Sequence, residues 1–161
     1  MSEGRSSIAI DISVASDAWS LEKIEDRIGT AIDTAIRVSR ARLEDGAELS
    51  VLLCDDAFIR GLNRQWRGQD KPTNVLSFPA ATTFTPALGD IAIAYETTAQ
   101  EAAAEGKSLS DHFIHLLIHG FLHLIGYDHR DEAEAAVMEK LEREVLAELG
   151  IADPYARFET A

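Results

Sequence analysis

From Ser7 to Val14 (SIAIDISV) apolar and polar residues alternate, the period of a strand with one face in a core. From about Trp19 to Leu43 the period changes. Leu21, Ile24, Ile28, Ile32, Ile36 and Leu43 recur near helical spacing, so a helix is expected after the first strand. Glu48–Cys54 (ELSVLLC) reads as a second strand. Asp55 or Asp56 can then cap a helix from Ala57 to about Trp66 with Phe58, Ile59 and Leu62 inward. Asn74–Phe78 (NVLSF) and Gly89–Tyr95 (GDIAIAY) read as two short strands around a loop that holds Pro79 and Pro86. Three helices are expected to close the chain: Glu96–Glu105, a second capped by Ser110 or Asp111 and running to about Leu124, and a third from Asp131 to Leu149. In the last, Val137, Leu141, Val145 and Leu149 recur at steps of four. The order is that of a small α/β (α+β) domain: a mixed sheet of about four strands packed with about five helices, and no internal repeat.

The length of 161 residues with 46% hydrophobic residues suits one core, so residues 1–161 are expected to form a single domain with about 1–6 and 156–161 frayed. The N-terminal residues lack the apolar stretch of a signal peptide, and no apolar run approaches the roughly 20 residues needed to span a bilayer. The single cysteine, Cys54, excludes an internal disulfide and a cysteine metal cluster. It reads as a buried thiol in a cytoplasmic protein. With 28 acidic against 15 basic residues the net charge is −13, which taken alone argues against a polyanionic partner.

The chemistry is concentrated in HGFLHLIGYDH, residues 119 to 129. All five histidines lie between residues 112 and 129, and His112, His115, His119 and His123 share an arc of about 80° on one helix. His119 and His123 are one turn apart, about 6 Å in rise, so two imidazoles can meet one ion. His115 and His123 are about 12 Å apart and cannot do so on a straight helix. The third ligand must come from returning chain, and Gly126 supplies a turn that brings back His129. Three imidazoles with no fourth protein ligand nearby describe a metal site with an open position, the mark of catalysis. Metzincin peptidases share this spacing, but there glutamate, the general base, follows the first histidine; here it is Gly120. That glycine serves either as room for a bulkier substrate such as a phosphodiester or as a helix-packing position.

The stretch H-G-x-L-H-L-x-G-Y-D-H, with Phe121 and Ile125 at the free positions, resembles the signature of the YbeY family of bacterial endoribonucleases. The resemblance extends to Trp66-Arg67-Gly68, to Asp70 through Pro79 (DKPTNVLSFP), to Leu88-Gly89-Asp90-Ile91, and to Leu149-Gly150 and Asp153-Pro154-Tyr155, roughly residues 48 to 155 in all. Asn74 departs from it, since many members carry aspartate there. The resemblance implies a metal-dependent, single-strand-specific endoribonuclease that matures the 3′ end of 16S ribosomal RNA and acts in ribosome quality control. Its partners would be the 16S precursor and the small subunit. It also implies His119, His123 and His129 as ligands and Arg67 as the required arginine; Arg67 and His119 are the expected catalytic residues. The metal is expected to be Zn2+, with Ni2+ the alternative.

The net charge does not exclude RNA, because charge is segregated. Between Arg60 and Lys71, four basic residues (Arg60, Arg64, Arg67, Lys71) face one acidic residue, Asp70. Helical spacing puts the three arginines on one side, and Trp66 and Phe78 are either core residues or stacking faces for unpaired bases. The acidic residues of the last helix, Glu142 among them, read as a solvated face. His115 and Asp128 are expected either to support the ligands or to serve packing and turn capping. Two rival functions carry distinct signatures: a metzincin-like metallopeptidase would cleave peptides, and a non-catalytic ribosome-associated metal-binding module would keep its function after loss of a ligand.

Overall fold

The computed structural model describes residues 8–80 and 87–155. The expected fraying of residues 1–6 and 156–161, and the part of the Pro79–Pro86 loop from 81 to 86, lie outside the described residues. The elements are β1 (Ala9–Val14), α1 (Ile24–Ser39), β2 (Glu48–Cys54), α2 (Asp56–Arg67), β3 (Val75–Pro79), β4 (Ala87–Ala94), α3 (Tyr95–Glu105), α4 (Leu109–Leu124) and α5 (Glu132–Glu148). The fold is the expected α/β arrangement of four strands and five helices.

The sheet runs in the order β1-β2-β4-β3, with β1, β2 and β4 parallel and β3 antiparallel to β4. The chain therefore leaves β2 through α2, lays down β3 at the edge, and returns to insert β4 between them. Alternation along the strands separates two faces. Leu49, Val51, Leu53, Ile91 and Ile93 point into the main core with Ile28 and Ile32 of α1, Phe113, Leu117 and Phe121 of α4, and Met138 and Val145 of α5. Full burial of each large side chain stabilises by roughly 1.5–3 kcal/mol. The opposite face carries a smaller cluster in which Ile59 of α2 meets Cys54, Ala92 and Ala94. Among the described residues no helix is long and apolar enough to cross a membrane.

Several boundaries differ from expectation for identifiable reasons. The first helix begins at Ile24 because Trp19 is drawn into the core, where its indole N–H donates to the Cys54 carbonyl (2.8 Å) and its ring packs edge-on against Tyr95 at 5.4 Å. Phe58 is exposed rather than inward, because α2 turns Ile59 toward the sheet. Of the two candidate caps, Asp55 accepts the Phe58 amide (2.8 Å). Neither Ser110 nor Asp111 caps α4; Ser108 does, taking the Asp111 amide at 3.0 Å. Val137 is exposed, since the buried stripe of α5 is Met138, Glu142, Val145 and Leu146. At Gly89 (φ 141°) a Cβ would lie 2.2 Å from the Phe78 carbonyl oxygen, so only glycine lets β4 pass β3 there.

Candidate metal centre

Helix α4 is apolar on the side that meets the sheet, and this orients its histidines. His112 is buried and its Nε2 contacts Glu101 Oε1 at 2.8 Å; His115 and His119 are half-buried; His123 follows one turn on. The helix ends at Leu124, and Gly126, at φ 111°, turns the chain back. The Gly126 amide donates to the His123 carbonyl (3.1 Å) and the Tyr127 amide to the Leu122 carbonyl (3.0 Å), satisfying the helix end.

This reversal brings His119, His123 and His129 together, with one nitrogen of each within 4.8 Å of the others. The ring centroids lie 4.7 Å apart for His119 and His123, 4.9 Å for His123 and His129, and 5.6 Å for His119 and His129. Such separations suit one ion held by bonds of roughly 2.0–2.1 Å. The chemistry of the donors fits as well. Burial, and then the neighbouring rings of His119 and His129, hold His123 below the ordinary histidine range and keep it neutral, the form that ligates a metal.

Glu142 corrects the sequence reading most. It was expected on a solvated face, yet its side chain is completely buried beneath the histidine stripe. Its Oε1 faces His115 Nε2 at 2.9 Å and the Tyr155 hydroxyl, and its Oε2 faces His119 Nδ1 at 2.7 Å. Burial alone would push this carboxyl up, but the hydrogen bonds from His115, His119 and Tyr155 outweigh it and hold it down at about 2. Burial, with the contact to Glu142, pushes the Tyr155 hydroxyl up, so it stays protonated and donates. The signal was present in the sequence: Glu142 stands four residues after Met138 and three before Val145, inside the apolar stripe.

Asp128 shapes the returning turn. Its Oδ1 accepts the His129 amide at 2.8 Å, which, against a small opposing effect of burial, holds the carboxyl low; it also pairs with Arg130 (3.4 Å) and lies 3.9 Å from His123 Nδ1. His115 faces Glu142 rather than the trio.

The three histidines line a cleft of ≈ 630 Å3 together with Arg67, Asn74 through Ser77 and Pro79. Arg67 ends α2, donates through Nη2 to the Ser77 carbonyl (2.8 Å), and spans from the cleft to the ring of Phe78. Arg60 forms a two-pronged pair with Asp70 (2.8 and 3.3 Å), so the one acidic residue of the segment is held by that arginine, while Arg64 and Lys71 are exposed. Trp66 is 61% exposed and shares with Phe78 an apolar groove beyond β3, lined also by Phe58 and Leu62. Asn74 donates to Glu101 Oε1 at 2.9 Å, so at this position an amide serves a carboxylate neighbour that an aspartate would repel.

Gly120 is buried against the sheet. A Cβ there would meet Ile91 Cγ2 at 3.1 Å, so the glycine serves the packing of α4 on β4, whichever substrate the cleft takes.

A family model described as Endoribonuclease YbeY matches residues 12–150. An endoribonuclease YbeY of Methylocella silvestris is 58% identical over 91% of this chain and 85% of its own length. One of a Chelativorans species is 48% identical over 97% of this chain and its whole length. A solution structure of a Thermotoga maritima protein superposes with a TM-score of 0.56 at 25% identity, covering 92% of this chain and 99% of that one. Nothing in these comparisons supports the peptidase or the non-catalytic reading. The chain belongs to the YbeY family of endoribonucleases, and its activity is the hydrolysis of RNA.

Proposed function

We propose that the chain, acting as one cytoplasmic domain, cleaves single-stranded RNA at a metal held by His119, His123 and His129, with Arg67 as the residue that meets the reacting phosphate. The observation that carries this reading is the shared cleft: three clustered imidazoles and an arginine line one cavity. Zinc is the metal the three imidazoles suit, with nickel as alternative. When bound, it would supply Lewis acidity toward a phosphate oxygen and lower the pKa of a water.

The remaining work falls to the protein. Arg67 presents a planar fork of donors to two phosphate oxygens, and its anchoring to the Ser77 carbonyl pre-orients that fork. Asp128 holds the turn that carries His129. Arg64 and Lys71 would attract the strand, with Arg60 contributing less because it shares its charge with Asp70, and Trp66 and Phe78 would offer faces to its unpaired bases. The family resemblance supports a finer assignment: 16S ribosomal RNA precursor as substrate, cut at its 3′ end on the small ribosomal subunit.

The test is a single-stranded RNA and a mixed peptide library, each incubated with zinc-loaded protein and with a His123→Ala variant. RNA cleavage that disappears with the metal is expected. Metal-dependent peptide cleavage without RNA cleavage would contradict the proposal.

A further inference from the structure

We infer that Glu142 is a positioning residue for the metal centre: its carboxylate fixes the His119 ring with the proton on Nδ1, leaving Nε2 to face His123 and His129. The inference rests on the metal-binding reading of that trio. An ionised carboxylate only accepts hydrogen bonds, so the His119 nitrogen 2.7 Å from Glu142 Oε2 carries the hydrogen and the other nitrogen keeps its lone pair. A metal-ligating imidazole usually gives its second N–H to such a partner, which settles both tautomer and ring angle and raises ligand basicity. Glu142 reaches this place from α5, and its side chain is fully buried, so no water competes for the bond.

The same carboxylate has a second consequence. Its other oxygen takes His115 Nε2 (2.9 Å) and the Tyr155 hydroxyl, while His115 Nδ1 is buried without a partner. His115 is thereby turned toward α5 and is not a substitute ligand. Within the histidine stripe of α4 one acidic residue thus holds a supporting member, His115, and a ligating member, His119.

Two measurements on the full-length chain test this. The first is the histidine tautomer state in the metal-free wild-type protein, read from long-range nitrogen–proton NMR correlations. An Nδ1–H form of His119 is expected; an Nε2–H form overturns the inference, and this readout needs no variant to fold. The second is zinc affinity by chelator competition, with folding monitored by circular dichroism. Glu142→Ala should weaken zinc binding by about 10–100-fold, Glu142→Gln by less because its carbonyl still accepts, and Tyr155→Phe hardly at all because that hydroxyl serves the other oxygen. A folded Glu142→Ala that binds zinc as the wild type does, or a Tyr155→Phe that loses as much affinity, overturns the positioning role. His123→Ala separates the two readings: if it keeps full zinc the metal assignment itself fails, whereas zinc lost there but retained in Glu142→Ala removes only Glu142.

Discussion

The guanidinium of Arg67 lies 5.3 Å over the ring of Phe78, so the arginine of the histidine cleft rests on a side chain that itself lines the apolar groove. Its role is separable from folding, because its anchor is one carbonyl and one ring face. Arg67→Ala and Arg67→Lys are expected to fold and keep metal, and to cleave saturating RNA about 10²–10³-fold more slowly, the typical loss for one charge-stabilising donor. Lysine fails despite its charge because it cannot present a planar fork. A wild-type rate in Arg67→Ala with only a lower melting temperature would make the residue structural.

Trp66 gives a prediction about binding rather than rate. Stacking of one base on an aromatic ring contributes about 1–3 kcal/mol, and this indole is exposed beside Phe78. Trp66→Ala should therefore weaken single-stranded RNA binding, measured by fluorescence anisotropy, by about 1 kcal/mol or more while leaving stability unchanged. Unaltered affinity would place the RNA elsewhere.

Gly120 gives one about packing. Alanine gains about 1 kcal/mol of helix propensity, but the added Cβ presses on Ile91, and overpacking of this kind costs about 1–3 kcal/mol. Net destabilisation is expected on urea denaturation of Gly120→Ala. Gly120→Glu should be worse, since it drives a carboxylate into the same contact, and should gain no peptidase activity.

Cys54 gives one about pH. Burial, and then the nearby Asp55, Asp56 and Glu96, push its thiol up to about 12 from an ordinary value of 9.0. The unfolded chain loses this proton first, so the contribution to stability is intact below about pH 9 and is lost as pH rises toward 12. Denaturation midpoints should fall over that alkaline window with a slope that Cys54→Ala reduces. Thiol reagents should label the native protein only as fast as it opens; rapid labelling at pH 8 would show that the thiol is accessible.

The order of elements was legible because strand and helix periods are local, and so was the turn at Gly126, where spacing and reach leave one solution for His129. What was not legible depended on neighbours far along the chain. Phe58 and Val137 fit helical stripes by spacing, but the faces that α2 and α5 bury are chosen by the sheet and by α4. Glu142 was read as solvated because carboxylates usually are, and the donors that hold it, His115, His119 and Tyr155, lie up to 27 residues away. Which basic residue Asp70 would meet was not legible either, because it lies past the end of α2, where helical spacing no longer says which side chains touch.

The three imidazoles come from one helix end and the turn after it, whereas Arg67 lines the cleft from the end of α2 and Glu142 supports His119 from α5. A nascent chain halted before α5 already contains Arg67 and every histidine, yet lacks the carboxylate that sets the ring of His119. In order of synthesis the ligand stripe therefore precedes its support: the bond between His119 and Glu142 closes across 23 residues and forms only once α5 has docked on α4.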